Sequence, residues 1–430
     1  MKSSDYILCS NKYGYYCVPK SSQYKPAART IIGGKVYEPD TIEFMRAHCH
    51  GGSVVHAGMF LGDFLPGLSE AIAEGYSLYG FEPNKESFDC ATLTKSLNSL
   101  DNTKIFPHGL GDQNSVMQLR VKDQNGNALG GSSTIIRDKV DVLTTHTHTP
   151  PDEQDYERIE IVKIDDVVGA DERIKIIQLD VEEFEEFALK GAMTTIKKYK
   201  PIVILENMPV DFVKEAILPL GYELIGFAHN NCILVSDLID KEWTYYRAKG
   251  ELAFKKKDYA GAVESFTESK KLSDQESDLD FKLARIQLKN GKKKKAIKFL
   301  EASLSSDPFN GDANLLLARV LYSSDEITVG LKYAQRASLE KSYSPLTWLM
   351  LGNYYLKLNE AEEAHQAYVS GLERKQNHLK LMQALLQVTN DTIERTNLKT
   401  KISALQESDD RNIQRIQRRK SSLKEVFELR

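Results

Sequence analysis

Four small residues, Gly250, Ala284, Ala318 and Gly352, stand 34 positions apart in the second half of the chain. Each is followed twelve residues later by another small residue (Ala262, Ala296, Gly330, Ala364). Four positions further on come Phe266, Leu300, Ala334 and Tyr368. A fixed period of this length among helix formers describes stacked pairs of antiparallel helices, since one pair cannot bury its apolar face alone. Small residues at the first two points let paired helices approach closely. The mostly larger ones at the third fill the gap between units, with Ala334 the exception. This predicts an all-α solenoid of four repeats over residues 243–376, with the fullest pattern in the fourth (Trp348, Leu351, Gly352, Tyr355, Ala364, Tyr368). Pro308 follows the second unit, where a proline ends a helix.

The period and these residues resemble the tetratricopeptide repeat (TPR), which implies a concave surface for a protein or peptide partner. Residues 377–430 continue as helix without the period; 379–386 form a cap, and 408–430 form a highly charged, solvated terminal helix, with a basic docking helix as the alternative. The four lysines at 292–295 read as a solvent-facing turn.

Before residue 240 the pattern changes. Short β-branched runs at 53–56, 77–81, 104–106, 174–179, 202–205, 222–228 and 231–235 alternate with amphipathic stretches. That alternation predicts an α/β domain with a mainly parallel sheet, closed by a hairpin around His229-Asn230. Two earlier runs, 5–9 and 13–18, predict an N-terminal β-hairpin extension within residues 1–40. The α/β domain proper spans 41–240. A net charge of −4 with 41% hydrophobic and 27% charged residues gives no electrostatic footprint for nucleic acid. The longest apolar runs, near 202–205 and 315–318, are too short to span a bilayer. Residues 1–15 lack a basic-then-apolar leader pattern, and the five cysteines form no Cys-x-x-Cys pair. Both point to a cytoplasmic protein with reduced thiols.

Two features carry chemistry. The β run Val54-Val55-His56-Ala57 enters a turn, Gly58-Met59-Phe60-Leu61-Gly62-Asp63, followed by an apolar helix over 64–73. Glycine serves where backbone must approach a ligand closely or take positive φ. Twenty residues after Gly62, the next strand ends in Glu82-Pro83-Asn84. An acid at that place accepts hydrogen bonds from both hydroxyls of a ribose. Together they point to an adenosine-containing ligand, without separating S-adenosylmethionine from a nicotinamide cofactor. The spacing lacks the Gly-x-Gly-x-x-Gly fingerprint that a nicotinamide site favours. Farther on, Asp180 ends one predicted central strand and Glu206-Asn207 ends the next, so Asp180, Glu206 and Asn207 converge at one mouth of the sheet.

Residues 13–235 resemble the FkbM family of methyltransferases. The matching segments are 54–66 (VVHAGMFLGDFLP), 80–84 (GFEPN), 109–112 (GLGD), 130–135 (GGSSTI), 162–168 (VKIDDVV), 176–192 (IIQLDVEEFEEFALKGA) and 200–206 (KPIVILE). The resemblance implies a Rossmann-like class I methyltransferase fold, a seven-stranded sheet whose last strand is antiparallel. It also implies S-adenosylmethionine as cofactor and O-methylation of a hydroxyl, commonly on a sugar or secondary metabolite. On this reading His56, Gly58, Gly62, Asp63, Glu82, Asn84, Gly109 and Asp112 are the cofactor-binding candidates, and Asp180, Glu182 and Glu206 the catalytic ones. The chain departs from the family at His56, where many members carry an acid, and at Phe60, where many carry asparagine.

Three roles stay open for the acids. Asp180, Glu206 and Asn207 are similar in spacing to the metal triad of catechol-type O-methyltransferases, whose oxygen donors suit Mg²⁺. Alternatively Asp180 or Glu182 acts directly as general base, or Glu182 and Glu185 merely complement a helix N-terminus. His229, Asn230 and Asn231 are candidates to line the acceptor pocket. The alternative for the whole chain is a TPR scaffold whose front domain has lost activity.

Overall fold

The computed structural model describes residues 5–123, 125–136, 155–169, 171–236, 239–273, 277–342 and 344–406. The charged segment 408–430 lies outside the described residues. The chain divides into two compact units, the first ending at Ser273.

The first unit opens with the expected hairpin, β1 (Tyr6–Asn11) and β2 (Gly14–Pro19), then α1 (Pro26–Ile32) and α2 (Pro39–His48). Its tight turn lies at Lys12-Tyr13, so β1 runs two residues beyond the predicted end. The main sheet contains β3 (Ser53–Ala57), β4 (Leu78–Phe81), β5 (Thr103–Phe106), β10 (Ile174–Leu179), β11 (Ile202–Leu205), β12 (Glu223–Ala228) and β13 (Asn231–Val235). Its order is β12-β13-β11-β10-β3-β4-β5, parallel throughout except that β13 runs antiparallel to both neighbours. This is the seven-stranded arrangement with an antiparallel last strand that the sequence led us to expect.

Strand alternation explains how both faces are buried. Val54, Ile176, Ile202, Ile204 and Ile233 join a core with α2, α3 (Leu65–Ala71) and Tyr245. Their neighbours Val55, Ile177, Val203, Leu205 and Leu234 point the other way, into a core with Leu189, Ile196 and Ile217. α4 (Lys85–Leu97) follows β4 and packs on β2 through Cys90 and Thr94.

A second sheet escaped the sequence reading. β6 (His108–Leu110), β7 (Ser115–Arg120), β8 (Thr134–Ile136) and β9 (Tyr156–Val162) form it in the order β6-β9-β7-β8. It closes over its own small core of Leu119, Ile135, Ile159, Ile161 and Phe184. Three short helices complete this half: α5 (Ile164–Val167), α6 (Glu185–Lys190) and α7 (Met193–Tyr199). The acid pair Asp165-Asp166, without an assigned role in the sequence, is structural. Asp165 accepts from the N–H groups of Thr194 and Thr195 at 2.8 and 2.9 Å, capping α7, and Asp166 pairs with Lys163 at 3.0 Å.

The first helix pair, α8 (Trp243–Lys255) and α9 (Tyr259–Leu272), also belongs to this unit. The compositional shift near 240 is therefore a change of secondary structure and not a packing boundary. α8 lies against β12 so closely that a Cβ on Gly226 would stand 1.9 Å from the Ala248 carbonyl oxygen. Tyr245 and Ala248 enter the sheet core, His48 Nε2 meets Thr244 Oγ1 at 2.8 Å, and Arg247 pairs with Asp40 at 2.9 Å.

The second unit is helical, with no strand among its described residues. Its pairs are α10 (Ser277–Lys289) with α11 (Lys293–Ser306), α12 (Gly311–Tyr322) with α13 (Ile327–Glu340), and α14 (Pro345–Lys357) with α15 (Ala361–Arg374). α16 (Leu379–Val388) follows, where a cap was expected. The repeat positions now have a cause. A Cβ on Gly352 would come within 2.2 Å of the Tyr368 ring of the same pair. In the first unit Gly250 meets Phe266 in the same way, so the larger residue seals its own pair. Ala334 is small because Tyr354 from the next helix shares its cluster and hydrogen-bonds the Ala318 carbonyl at 2.6 Å, worth about 1 kcal/mol.

Candidate functional site

The parallel register builds the site. His56 stands opposite Gly80 on one side and Gln178 on the other, Gln178 opposite Ile204, and Ile204 opposite Ile233. One step toward the carboxyl ends, alternation places Gly58, Asp180, Glu206 and Asn231 in the next row, on the same face. The ladder continues into that row: Gly58 N–H donates to Phe81 O at 3.0 Å, Asp180 N–H to Ala57 O at 3.1 Å and Glu206 N–H to Leu179 O at 3.1 Å.

Gly58 has φ +76°, and a Cβ there would stand 1.7 Å from the Asp180 carbonyl oxygen. Phe60 also takes a positive φ, 47°, and its N–H donates to Glu82 Oε2 at 2.9 Å. Glu82 Oε1 accepts from Asn84 N–H at 2.9 Å. The acid thus locks the glycine turn to the tip of β4 while keeping part of its acceptor capacity, since each carboxyl oxygen accepts one N–H and has a further lone pair. The Phe60 ring packs beneath Gly130-Gly131 and against Tyr16, Cys17, Val18 and Ile31 of the N-terminal segment. The departure at position 60 therefore substitutes packing for polarity and draws the hairpin onto the turn.

These elements surround a cleft of about 450 Å³ including its open mouth, walled by Gly58, Glu82, Gly109, Gly131, Asp180 and Glu182 among others. The Gly130–Ser132 turn leads into Ser133, whose Oγ accepts from Asn84 Nδ2 at 3.2 Å, and Ser132 bonds to Glu182. That segment spans from the tip of β4 to the turn after β10. Ser132 and Ser133, whose roles no local pattern indicates, are its two tethers.

Not every candidate reaches the cleft. Asp112 is exposed in the turn after β6 and lies off its wall. Asn84 is the N-cap of α4, its side chain accepting from Ser87 N–H at 3.0 Å. Gly62 (φ +81°) and Asp63 shape the turn behind the wall. His56 is buried below it, stacked on Phe64 at 4.9 Å with Nδ1 on Gln178 Oε1. Its partner is a side chain, not the backbone group a core histidine most often finds.

Asp180, Glu182 and Glu206 do converge, each offering an oxygen within 4.8 Å of the others. Asn207 is exposed and donates to Glu206 at 3.5 Å. Glu182 and Glu183 take φ of +49° and +70°, two successive left-handed residues that store strain beside the acids. Burial and a hydrogen bond with Glu206 hold the Asp180 carboxyl well above the usual range. Glu185 instead accepts from Val181 N–H at 3.4 Å and serves its own helix start.

Two groups of the site went unnoticed in the sequence. Tyr37 and Glu38 precede α2, and Glu38 is its N-cap with φ +45°. Glu38 accepts from Asn231 Nδ2 at 2.6 Å and Thr41 Oγ1 at 3.1 Å, with His229 Nε2 at 3.8 Å. Pro39 at the helix start is a local signal for a cap at Glu38, but nothing local encodes which strand end it meets.

Burial pushes Asp63 and Glu82 up to about 8 and Glu185 up to about 7. In the unfolded chain such acids titrate near 4. Between those values the folded state holds more protons, so stability falls as pH rises and levels off above about 8. His48 and His56, held down to about 4 by burial, act oppositely, but only below about 6.5. The melting temperature should therefore fall between pH 6.5 and 8, and Glu185→Gln should flatten the slope. A flat or rising wild-type profile would show these acids ionised in the folded state.

The description "Methyltransferase FkbM domain" matches residues 58–229, and "Tetratricopeptide repeat" matches 253–320 and 346–378. No curated protein matches the chain. Among solved structures, "Crystal structure of MamA" is 19% identical with a TM-score of 0.35, over 38% of this chain and 96% of that one. "MamA 41-end from Desulfovibrio magneticus RS-1" is 12% identical with a TM-score of 0.36, over 40% and 97%. "Crystal structure of YrrB: a TPR protein with an unusual peptide-binding site" is 16% identical with a TM-score of 0.35, over 38% and 85%. No helix among the described residues is long and apolar enough to cross a membrane.

Proposed function

The chain carries an FkbM methyltransferase domain followed by tetratricopeptide repeats, and from that premise we propose that it is an S-adenosylmethionine-dependent O-methyltransferase acting on a hydroxyl of a sugar or glycan. The observation that carries this reading is Glu82, tied to the Gly58 turn, facing the same cleft as Asp180 and Glu182. The cleft suits the cofactor on its own terms. Gly58 lets the tips of β3 and β10 close together at the cleft wall, and Glu82 retains acceptor capacity for ribose hydroxyls. Gly109 lets β6 pack on the core of the second sheet, since a Cβ there would meet Ile161 at 2.7 Å.

S-adenosylmethionine, when bound, supplies a methyl group on a positively charged sulfur. The protein's part is to align an acceptor oxygen and remove its proton. Asp180 is the group for that proton. Its raised affinity, from burial and the neighbouring Glu206, makes it a stronger base than an ordinary carboxylate. The same three acids favour a second reading, in which Asp180, Glu182 and Glu206 would hold Mg²⁺, an ion that would acidify the acceptor hydroxyl. A wider basin beside the cleft, lined by Ser21, Asn84, Lys85, Asn127 and Glu157 among others, is polar enough to suit a hydroxyl-rich acceptor. The repeats would hold a protein or peptide partner.

Calorimetric titration with S-adenosylmethionine and its demethylated product tests the cofactor. Wild type should bind both in the micromolar range, and Glu82→Ala should weaken binding at least tenfold, because it removes the ribose acceptor and frees two N–H groups. Absence of binding in wild type would favour the scaffold reading.

A further inference from the structure

Cys17 and Cys90 stand 73 positions apart, one in β2 and one in α4, and their sulfurs meet at 3.3 Å. Both side chains are fully buried. Two cysteines can be bridged only where their side chains converge, and bonded sulfurs stand about 2 Å apart. These two already point at each other, and a shift of about an ångström would join them. The backbone holds that register. Cys17 N–H donates at 3.1 Å to Thr94 Oγ1, one turn along α4 from Cys90.

The other three thiols are placed differently. Cys9 Sγ lies 4.0 Å from Tyr16 O, and Cys49 Sγ donates to Arg46 O and Ala71 O at 3.4 Å. Burial pushes the Cys9, Cys49 and Cys232 thiols up, which makes them poor nucleophiles. The hydrogen bond between Cys17 and Cys90 acts unequally on its two partners. It holds Cys17 below the usual thiol range and Cys90 above it. Cys17 is therefore the attacking sulfur of the pair and Cys90 the resolving one.

We propose that Cys17 and Cys90 form a reversible disulfide, made by a small peroxide, that clamps the N-terminal hairpin to α4. The Cys17 thiolate attacks a peroxide oxygen, the O–O bond breaks, and the leaving hydroxide takes up a proton as water. The Cys90 thiolate then attacks the sulfenic sulfur so formed, closing the S–S bond and releasing a second water. The two thiols lose two electrons and the peroxide gains them; the thiol protons leave in the two waters. Access comes through opening of the hairpin, since β1 and β2 form a two-stranded ribbon, which is marginal on its own. The clamp bears on the cleft, because Cys17, Cys90 and Phe60 of the glycine turn share one apolar cluster.

The test treats the full chain with limiting hydrogen peroxide and then counts thiols after denaturation. Of the five cysteines, three should remain free, the five less the bonded pair. Peptide mapping by mass should find the Cys17 and Cys90 peptides joined, and dithiothreitol should restore all five thiols. Because the bond spans 73 positions, the oxidised protein should melt about 5 °C or more above the reduced one. Cys17→Ala and Cys90→Ala should each lose that rise. Five free thiols after treatment, or Cys17 joined to Cys9 instead, overturns the disulfide. A Cys17–Cys90 bond that leaves the melting temperature unchanged overturns the clamp.

Discussion

Gly58→Ala should abolish binding of the adenosyl ligand and lower the stability of the first unit by about 2–5 kcal/mol. Two costs add. A residue with a Cβ at φ +76° loses about 1–2 kcal/mol. The methyl group would also lie 1.7 Å from the Asp180 carbonyl oxygen, and overpacking of this kind costs about 1–3 kcal/mol. The backbone cannot simply step aside, since Gly58 N–H is bound to Phe81 and Asp180 N–H to Ala57. Relief has to come from separating the tips of β3 and β10, which are the two walls carrying the cleft. Gly51 supplies the control. Its φ is +77°, but nothing lies within 4 Å of a Cβ there. Gly51→Ala therefore bears the conformational cost alone and should bind ligand like wild type. Thermal melts and calorimetry on the two variants separate the effects. A Gly58→Ala protein as stable as Gly51→Ala and still binding ligand would mean that the turn does not support the cleft.

That turn also shows what was legible from sequence. Gly58, Glu82 and Asp180 were found because each ends a β run, and a parallel sheet gathers strand ends at one edge. Glu206 followed by the same reasoning. The chain order of the seven main strands and the four helix pairs were readable because their periods are long and clean. The second sheet was not. Its strands are short, and Ser115–Arg120 alternates too weakly between exposed and buried residues to declare itself. Glu38 was hidden for a different reason. It reaches Asn231 across 193 positions of sequence, through packing of α2 on the sheet, and no local pattern encodes such a meeting.

The boundary of the repeat array illustrates the same limit. Helix propensity changes near residue 240, and the sequence reading placed the array's start there. Gly226, a strand glycine with no evident turn, is the residue that lets α8 settle on β12. Its role is visible only once Ala248 is seen above it. Ala334 was an exception in the repeat pattern for a comparable reason, because its missing volume is occupied by Tyr354 from the following helix.

Asp180→Asn should lower turnover about 10²- to 10⁴-fold while leaving the affinity for S-adenosylhomocysteine within a few-fold of wild type, since general-base catalysis contributes on that order. The reasoning turns on what the three acids share. Burial first, then a hydrogen bond with Glu206 and its charge, hold the Asp180 carboxyl well above the usual range. A base in this state becomes active as pH rises and Asp180 loses its proton, so wild-type turnover should climb through that titration. Glu206→Gln keeps a hydrogen-bond partner but removes its charge. It should therefore move the rise to lower pH without abolishing turnover. The metal reading predicts a different pattern from the same variants. Three carboxylates within 4.8 Å of one another repel until a proton or a cation joins them. If Mg²⁺ is that cation, Glu182→Gln and Glu206→Gln should both raise the Mg²⁺ concentration needed for turnover, and EDTA should stop the reaction reversibly. Turnover undiminished in EDTA assigns the proton to Asp180 directly. Full turnover by Asp180→Asn, in either medium, would remove Asp180 from the chemistry altogether.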